Sequence, residues 1–196
     1  MTESSIFISK HELNITKKLN LLINSIFTED ESFYLNSSLK NYRKTVLDAQ
    51  NLLNEKNTIN LICRSIKTDL TEYLKTDSFL VQSNLYLRAS RQTKFQISES
   101  VGWHRESFYG SNMEKSVNVW TPLKGVTKNN TLRYIPNSHK IKDSKIKTLK
   151  INSKDTKKFS TGHKIGLVYS PKIIKNGVDL STSQSMIVKQ NYSAIF

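Results

Sequence analysis

Three consecutive residues, His104-Arg105-Glu106, carry the types and spacing best suited to chemistry in this chain. On an extended strand, residues i and i+2 project to one face, which sets the His104 imidazole beside the Glu106 carboxylate. Together they offer one neutral nitrogen donor and one hard anionic oxygen donor. Two histidines and one carboxylate on one face of a metal, with the remaining positions open, are the ligand set of non-haem Fe(II) enzymes. Part of such a set is present here. A His-X-Glu triplet also arises on ordinary solvated strands, so its weight depends on the residues downstream.

Those residues form a patterned stretch. Ser116 to Leu123 alternates Val117 and Val119 with Asn118 and Trp120, then meets Pro122. A polar turn at Lys128-Asn129-Asn130, a short strand from Thr131 to Ile135 and the turn Pro136-Asn137-Ser138-His139 complete it. In order and spacing the stretch resembles the phytanoyl-CoA dioxygenase-like family of Fe(II)/2-oxoglutarate oxygenases. The family's usual wording is Trp-His-X-Asp, a strand with Trp and Pro, Asn-Gly-X-Leu, and a Pro-Gly-Ser-His turn. The matching residues are Trp103-His104-Arg105-Glu106, Asn118-Val119-Trp120-Thr121-Pro122-Leu123, Asn129-Asn130-Thr131-Leu132 and Pro136-Asn137-Ser138-His139. Three positions depart from the pattern. Glu106 stands where Asp is usual, one methylene longer. Asn130 and Asn137 stand where Gly is usual, at turns expected to need positive φ, which Asn tolerates best among the other residues.

The resemblance implies Fe(II) held by His104 and Glu106, with 2-oxoglutarate as cosubstrate and O2 as oxidant. It implies decarboxylation of 2-oxoglutarate to succinate and CO2, coupled to hydroxylation of a small-molecule substrate. A carboxylate ligand favours hydroxylation over halogenation, because halogenating relatives leave that position free for halide. Trp120 is the candidate for packing beside the cosubstrate, with Asn118 and Thr131 as polar contacts and Arg88 as partner for an anionic group. Core packing is the competing reading for all four. Arg88, Arg91, Arg105, Lys115 and Arg133 surround the expected mouth and favour a substrate bearing an anionic group. The third metal ligand lies outside the stretch. His139 is expected to fix its turn by hydrogen bonding, and His163 follows Gly162 in a basic loop unlike the setting of the family's distal His. The chain stops at Tyr192-Ser193-Ala194-Ile195-Phe196, a few residues before that His and a cosubstrate-binding Arg are expected. A truncated chain, inactive or nearly so, with an unpaired sheet edge is the expectation.

The elements that must position these residues are read from periodicity. Leu13, Leu19, Leu22, Ile23 and Ile26 fall at helical spacing, and Glu29 to Asn54 continues with Tyr42, Val46, Ala49 and Leu53. A third helix is expected from Asn57 to Lys75, with Ile59, Ile62, Ile66 and Leu70 in its stripe. No Gly or Pro precedes Gly102, which suits continuous helices. From Phe79 the period becomes two, predicting strands over Phe79 to Arg88 and Thr93 to Ile97, the second leading into the metal pair. Further strands are predicted at Ile146 to Ile151, Ile165 to Tyr169, Met186 to Val188 and Tyr192 to Phe196. Residues 141–158, dense in Lys, Ser and Asp, read as a solvated loop or a lid. The expected fold is α+β, mostly β: a cupin-like double-stranded β-helix, or jelly roll, incomplete at its C-terminal end. One domain is expected over residues 1–196, with helical bracing in 1–77 and the jelly-roll core in 78–196. The pair should converge within a few ångströms at the mouth of the sandwich, and a placement of either residue on a helix, or of the two on opposite sides of the sheet, would end the oxygenase reading.

The formal net charge of +14 would ordinarily suggest nucleic acid or another anionic surface. The excess is Lys spread along the whole chain beside abundant Asn and Ile, so it reads as composition and no nucleic-acid partner is expected. The single cysteine, Cys63, excludes an internal disulfide framework and fits a reducing cytoplasm. No signal peptide is expected, because Met1 to Asn14 lacks a long apolar run after a basic start, and no stretch approaches the ~18 apolar residues of a membrane span; no Gly-rich phosphate loop, Cys pair or nucleophile elbow competes. Two other classes stay open: a non-catalytic jelly-roll module, and a basic nucleic-acid-binding protein whose affinity would fall steeply with salt.

Overall fold

The computed structural model describes residues 6–12, 14–89, 102–109, 116–150 and 172–196. They form two compact units. The first comprises Ile6–Arg88, Asn118–Val126 and Val188–Phe196, and the second falls within Ala89–Val117 and Thr127–Ile187.

The first unit is helical and closed by a small sheet. Its helices are α1 (Ile15–Asn24), α2 (Glu31–Asn36), α3 (Leu39–Glu55), α4 (Thr58–Ser65) and α5 (Lys67–Leu74). Helical spacing places Ile15, Leu19 and Ile23 of α1 in the core beside Tyr42, Val46, Ala49 and Leu53 of α3. Ile66 and Leu70 are buried with them. The helix predicted from Glu29 to Asn54 is two helices. Asp30 caps α2 by accepting the Phe33 N–H at 2.8 Å, and Ser38 caps α3 by accepting that of Asn41 at 3.2 Å. A capping serine leaves the helical region, and Ser38 does so at ψ 150°, which ends one helix and starts the next. The predicted third helix is likewise divided, at Ile66, where φ is −130°.

The segment Phe79 to Arg88, predicted as a strand, pairs with no strand among the described residues. The α3 side chains occupy its backbone instead. The Asn54 amide accepts the Leu85 N–H at 2.9 Å and donates to the Leu85 carbonyl at 3.4 Å. Gln50 Oε1 accepts the Leu87 N–H at 3.1 Å. Four helical residues rise about 6 Å and two extended residues about 6.6 Å, so an i, i+4 amide pair matches an i, i+2 edge. Leu87 is buried beneath this seam.

The sheet of the first unit has the order β1-β7-β2, with β1 (Phe7–Lys10), β2 (Val119–Trp120) and β7 (Tyr192–Ile195) all antiparallel. The N-terminal strand was not expected, and β2 is shorter than the predicted Ser116 to Leu123. β7 fits the predicted Tyr192 to Phe196 and lies between two partners.

The second unit holds two hairpin-like pairs. β3 (Arg133–Tyr134) pairs with β6 (Gln184–Ser185), and β4 (Lys147–Lys150) pairs with β5 (Lys172–Asn176). β4 fits the predicted strand at Ile146; β5 was missed, and β6 lies just before the predicted Met186 to Val188. The strands predicted at Thr93 to Ile97 and Ile165 to Tyr169 lie outside the described residues. Mixed helices and small antiparallel sheets are what is seen, short of a full jelly roll.

A polar bridge is sealed within the first unit. His11, 1% exposed, sits between Ser65 Oγ at 2.5 Å and Ser193 Oγ at 2.9 Å, and Ser193 Oγ meets Thr121 Oγ1 at 2.6 Å. Burial pushes the His11 pKa below its ordinary 6.5. The unfolded chain therefore takes up the proton at higher pH than the folded one, so stability is full above about pH 6.5 and falls as pH drops towards the folded value. Chemical denaturation from pH 7.5 to 5 should show this loss, at no more than about 1.4 kcal/mol per pH unit from this group. His11→Asn should remove that part of the slope.

Candidate functional site

The second unit presents His104 and Glu106 from an irregular segment. Gly102 to Arg105 has no regular structure, and Glu106–Tyr109 is a single 3-10 turn closed by the Phe108 N–H on the Arg105 carbonyl at 3.0 Å. The predicted extended strand is therefore absent: Glu106 stands on a one-turn 3-10 helix, the placement expected to count against the pair, and the described residues form no sandwich mouth around it. The side chains meet all the same: His104 Nε2 stands 3.7 Å from Glu106 Oε1. That is too long for a hydrogen bond and within the roughly 4.2 Å that two metal bonds of about 2.1 Å can span.

The imidazole is oriented from behind. Its Nδ1 lies 2.7 Å from the Gly102 carbonyl oxygen. A carbonyl only accepts, so Nδ1 carries a proton, and in the neutral ring Nε2 is then the acceptor nitrogen. Metal-binding histidines are held in this way, by a partner that fixes the tautomer. The donor chemistry thus fits a divalent cation at Nε2 and Oε1. Among the described residues no cluster of three or more His, Cys, Asp or Glu could hold a metal, so the two stand as a partial ligand set.

The segment is anchored on β5. The Trp103 carbonyl accepts the Ile174 N–H at 2.7 Å, and the Lys172 ammonium lies over the Phe108 ring, 5.9 Å from its centroid. A Cβ on Gly102 would fall 2.8 Å from Ile173 side-chain carbons, so a side chain there would push the segment off the strand. Arg105 reaches elsewhere, to Asp143 Oδ1 at 2.5 Å and to the Ser138 carbonyl.

Ser138 belongs to the Pro136-Asn137-Ser138-His139 turn. Asn137 adopts φ +59°, the left-handed conformation expected where the family has Gly. Asn130 does not: its backbone stays outside that region, and its Oδ1 accepts the Thr127 N–H at 2.6 Å and hydroxyl at 3.2 Å. Here the side chain builds the turn that a glycine would build by conformation. His139 is exposed; backbone bonds and Arg105 hold the turn it was expected to fix.

The remaining candidates are divided between the units. Thr131, in the unit of the pair, donates its hydroxyl to the Met186 carbonyl at 2.6 Å. Asn118 and Trp120 lie in the other unit, where Asn118 exchanges backbone bonds with Phe196 and Trp120 pairs with Ala194. Arg88 is exposed in that same unit. Arg133 is bonded to the Ser183 carbonyl at 3.0 Å and hydroxyl at 2.7 Å, so it and Arg105 serve local structure rather than a ring of free cations. His163, Arg91 and Lys115 lie outside the described residues. The sequence reading missed the Gly102 carbonyl as the orienting group; its one signal was the chain's first glycine two residues before the histidine.

A family model described as phytanoyl-CoA dioxygenase (PhyH) matches residues 25–180 of the chain, a span that contains the pair and the Pro136–His139 turn. No curated protein and no solved structure matches.

Replacing the two asparagines by the family's usual glycine should have opposite effects. Asn137→Gly should leave stability near wild type, whereas Asn137→Val should cost about 1–2 kcal/mol for forcing a β-branched residue left-handed. Asn130→Gly should cost about 0.5–1.5 kcal/mol, the worth of its lost bond to Thr127. Denaturant midpoints measure both.

Proposed function

The chain belongs to the phytanoyl-CoA dioxygenase (PhyH) family, and from that membership and the converging pair we propose that it is an Fe(II)- and 2-oxoglutarate-dependent oxygenase acting on a small metabolite. Members of the family are generally oxygenases of this type on a cupin or jelly-roll fold. The observation that carries the reading is the 3.7 Å approach of His104 Nε2 to Glu106 Oε1, with the His104 proton committed to Gly102.

When bound, the metal with 2-oxoglutarate and O2 supplies hydroxylation of a substrate C–H bond, with succinate and CO2 as the other products. The chain's own part is to present donors. His104 offers a neutral lone pair, and the Gly102 carbonyl keeps the ring proton on the far nitrogen. Glu106 brings a negative charge that offsets part of the cation's charge, and its place in the ligand set favours hydroxylation over halogenation. The third ligand and the arginine for the cosubstrate's distal carboxylate are proposed to lie outside the described residues. Trp120, Asn118 and Arg88 remain proposed contacts for the cosubstrate, although Thr131 has its hydroxyl engaged.

A single jelly-roll domain over residues 1–196 and a cytoplasmic location belong to the same proposal. The family match over residues 25–180 supports the first and the lone cysteine the second. No helix among the described residues is long and apolar enough to cross a membrane. The partial ligand set favours, as a second reading, a non-catalytic module of the same family.

The test is succinate release from 2-oxoglutarate, with Fe(II) present or chelated. Release should require Fe(II) and fall more than about 100-fold in His104→Ala and in Glu106→Ala, beyond the 10–100-fold typical of outer-shell changes. Fe(II)-dependent release that survives both substitutions would overturn the assignment of the pair. Binding of Fe(II) without any release would favour the non-catalytic module.

A further inference from the structure

Three consecutive side chains take two destinations: His104 and Glu106 meet each other, while Arg105 between them meets Asp143 and Ser138. Resting on the metal-site reading above, we propose that Arg105 is a positioning residue that holds the pair at the separation where both reach one divalent cation.

The segment needs such a hold because it lacks regular structure. One anchor is the Trp103 carbonyl on the Ile174 N–H of β5. That bond and the Lys172 contact with Phe108 fix the segment on β5 on either side of Arg105. The guanidinium supplies a further anchor one residue beyond His104. It grips a carboxylate with one nitrogen and a carbonyl with the other. A planar fork suits two acceptors at once, and charge-assisted bonds are the stronger kind. The Arg105 side chain is 16% exposed, so its contacts are partly shielded from water, although Asp143 is more open at 58%. Ser138 follows Asn137, whose left-handed φ of +59° sets the turn that aims the Ser138 carbonyl. The Pro136–His139 turn thus serves the pair through Arg105 and needs no contact with the metal itself. Without the tether, binding a cation would require ordering the segment first, and that entropy would be lost from the affinity.

The experiment titrates Co(II), a spectroscopic stand-in for Fe(II), into the 196-residue chain, following its visible absorption. Amide hydrogen exchange over residues 102–109 is measured on the metal-free protein. Arg105→Gln should weaken Co(II) binding about 10–100-fold and speed exchange in the segment, with the unfolding midpoint unchanged. Arg105→Lys keeps the charge without the fork and should fall between Arg105→Gln and wild type. Two results are decisive against the proposal, and they differ. If His104→Ala binds Co(II) as wild type does, the metal-site reading fails and the positioning role falls with it. If His104→Ala abolishes binding while Arg105→Gln leaves it intact, the site stands and the positioning role is overturned. Should Arg105→Gln not fold, Arg105→Lys decides, and wild-type affinity in that variant rejects the tether.

Discussion

The pairing of β7 on both its edges is the constraint that the helical unit depends on. β1 and β2 stand more than a hundred residues apart in sequence, and each finds its ladder only on β7. β2 has just two ladder residues, too few to persist alone, and the reciprocal Asn118–Phe196 bonds at 2.8 and 3.1 Å lengthen it on the same strand. Ser193, Ala194 and Ile195 are wholly buried, so the three strands share one sealed centre. The polar atoms in that centre are satisfied by the His11 bridge, which also reaches Ser65 on α4. A buried imidazole between two hydroxyls costs little while both bonds stand and much if either is lost. Sheet and helices are thereby joined through one side chain that sequence periodicity treats as an isolated polar residue.

The candidate site follows a different logic. Proximity of His104 and Glu106 alone would describe any surface ion pair. What separates it from one is the direction of the ring. An acceptor-only group behind Nδ1 sets the tautomer of the neutral ring, which leaves Nε2, the nitrogen nearer the carboxylate, as the one able to bind a cation. Such an arrangement suits a shared cation better than a direct hydrogen bond, and the 3.7 Å gap agrees. The net positive charge of the chain contributes less than its size suggests. Arg105 and Arg133 are engaged with local carbonyls, a carboxylate and a hydroxyl, so charge counted from sequence overstates what an anionic substrate would meet.

The helices and the site were legible in sequence to different depths. The stripe Tyr42, Val46, Ala49 and Leu53 predicted the buried face of α3 residue by residue, because the 3.6-residue period leaves little choice. Their breaks were less legible, since Ser37-Ser38 reads equally as helix surface or as a cap. Phe79 to Arg88 shows the limit of the two-residue period. No strand forms there among the described residues, because whether a strand or a helix's amides fill its edge depends on Asn54 and Gln50, some thirty residues away. β1 was hidden for the same reason: four residues gain strand character only from a partner at the other end of the chain. The Asn137 turn was legible because backbone sign is a local property, whereas His104 and Glu106 meet without the strand that their i, i+2 spacing implied.

Glu106 in place of the family's usual Asp takes on a physical sense in this geometry. On a straight strand the i, i+2 spacing alone would aim both side chains to one face, and the shorter carboxylate would suffice. Here Gly102 to Arg105 has no regular structure and Glu106 opens a 3-10 helix, so the strand rule does not govern the pair. What remains is side-chain reach. Glu has one more methylene and one more rotatable bond than Asp, and its Oε1 stands 3.7 Å from Nε2. In a segment whose backbone does not itself align the two donors, the longer carboxylate has the wider choice of positions beside the imidazole.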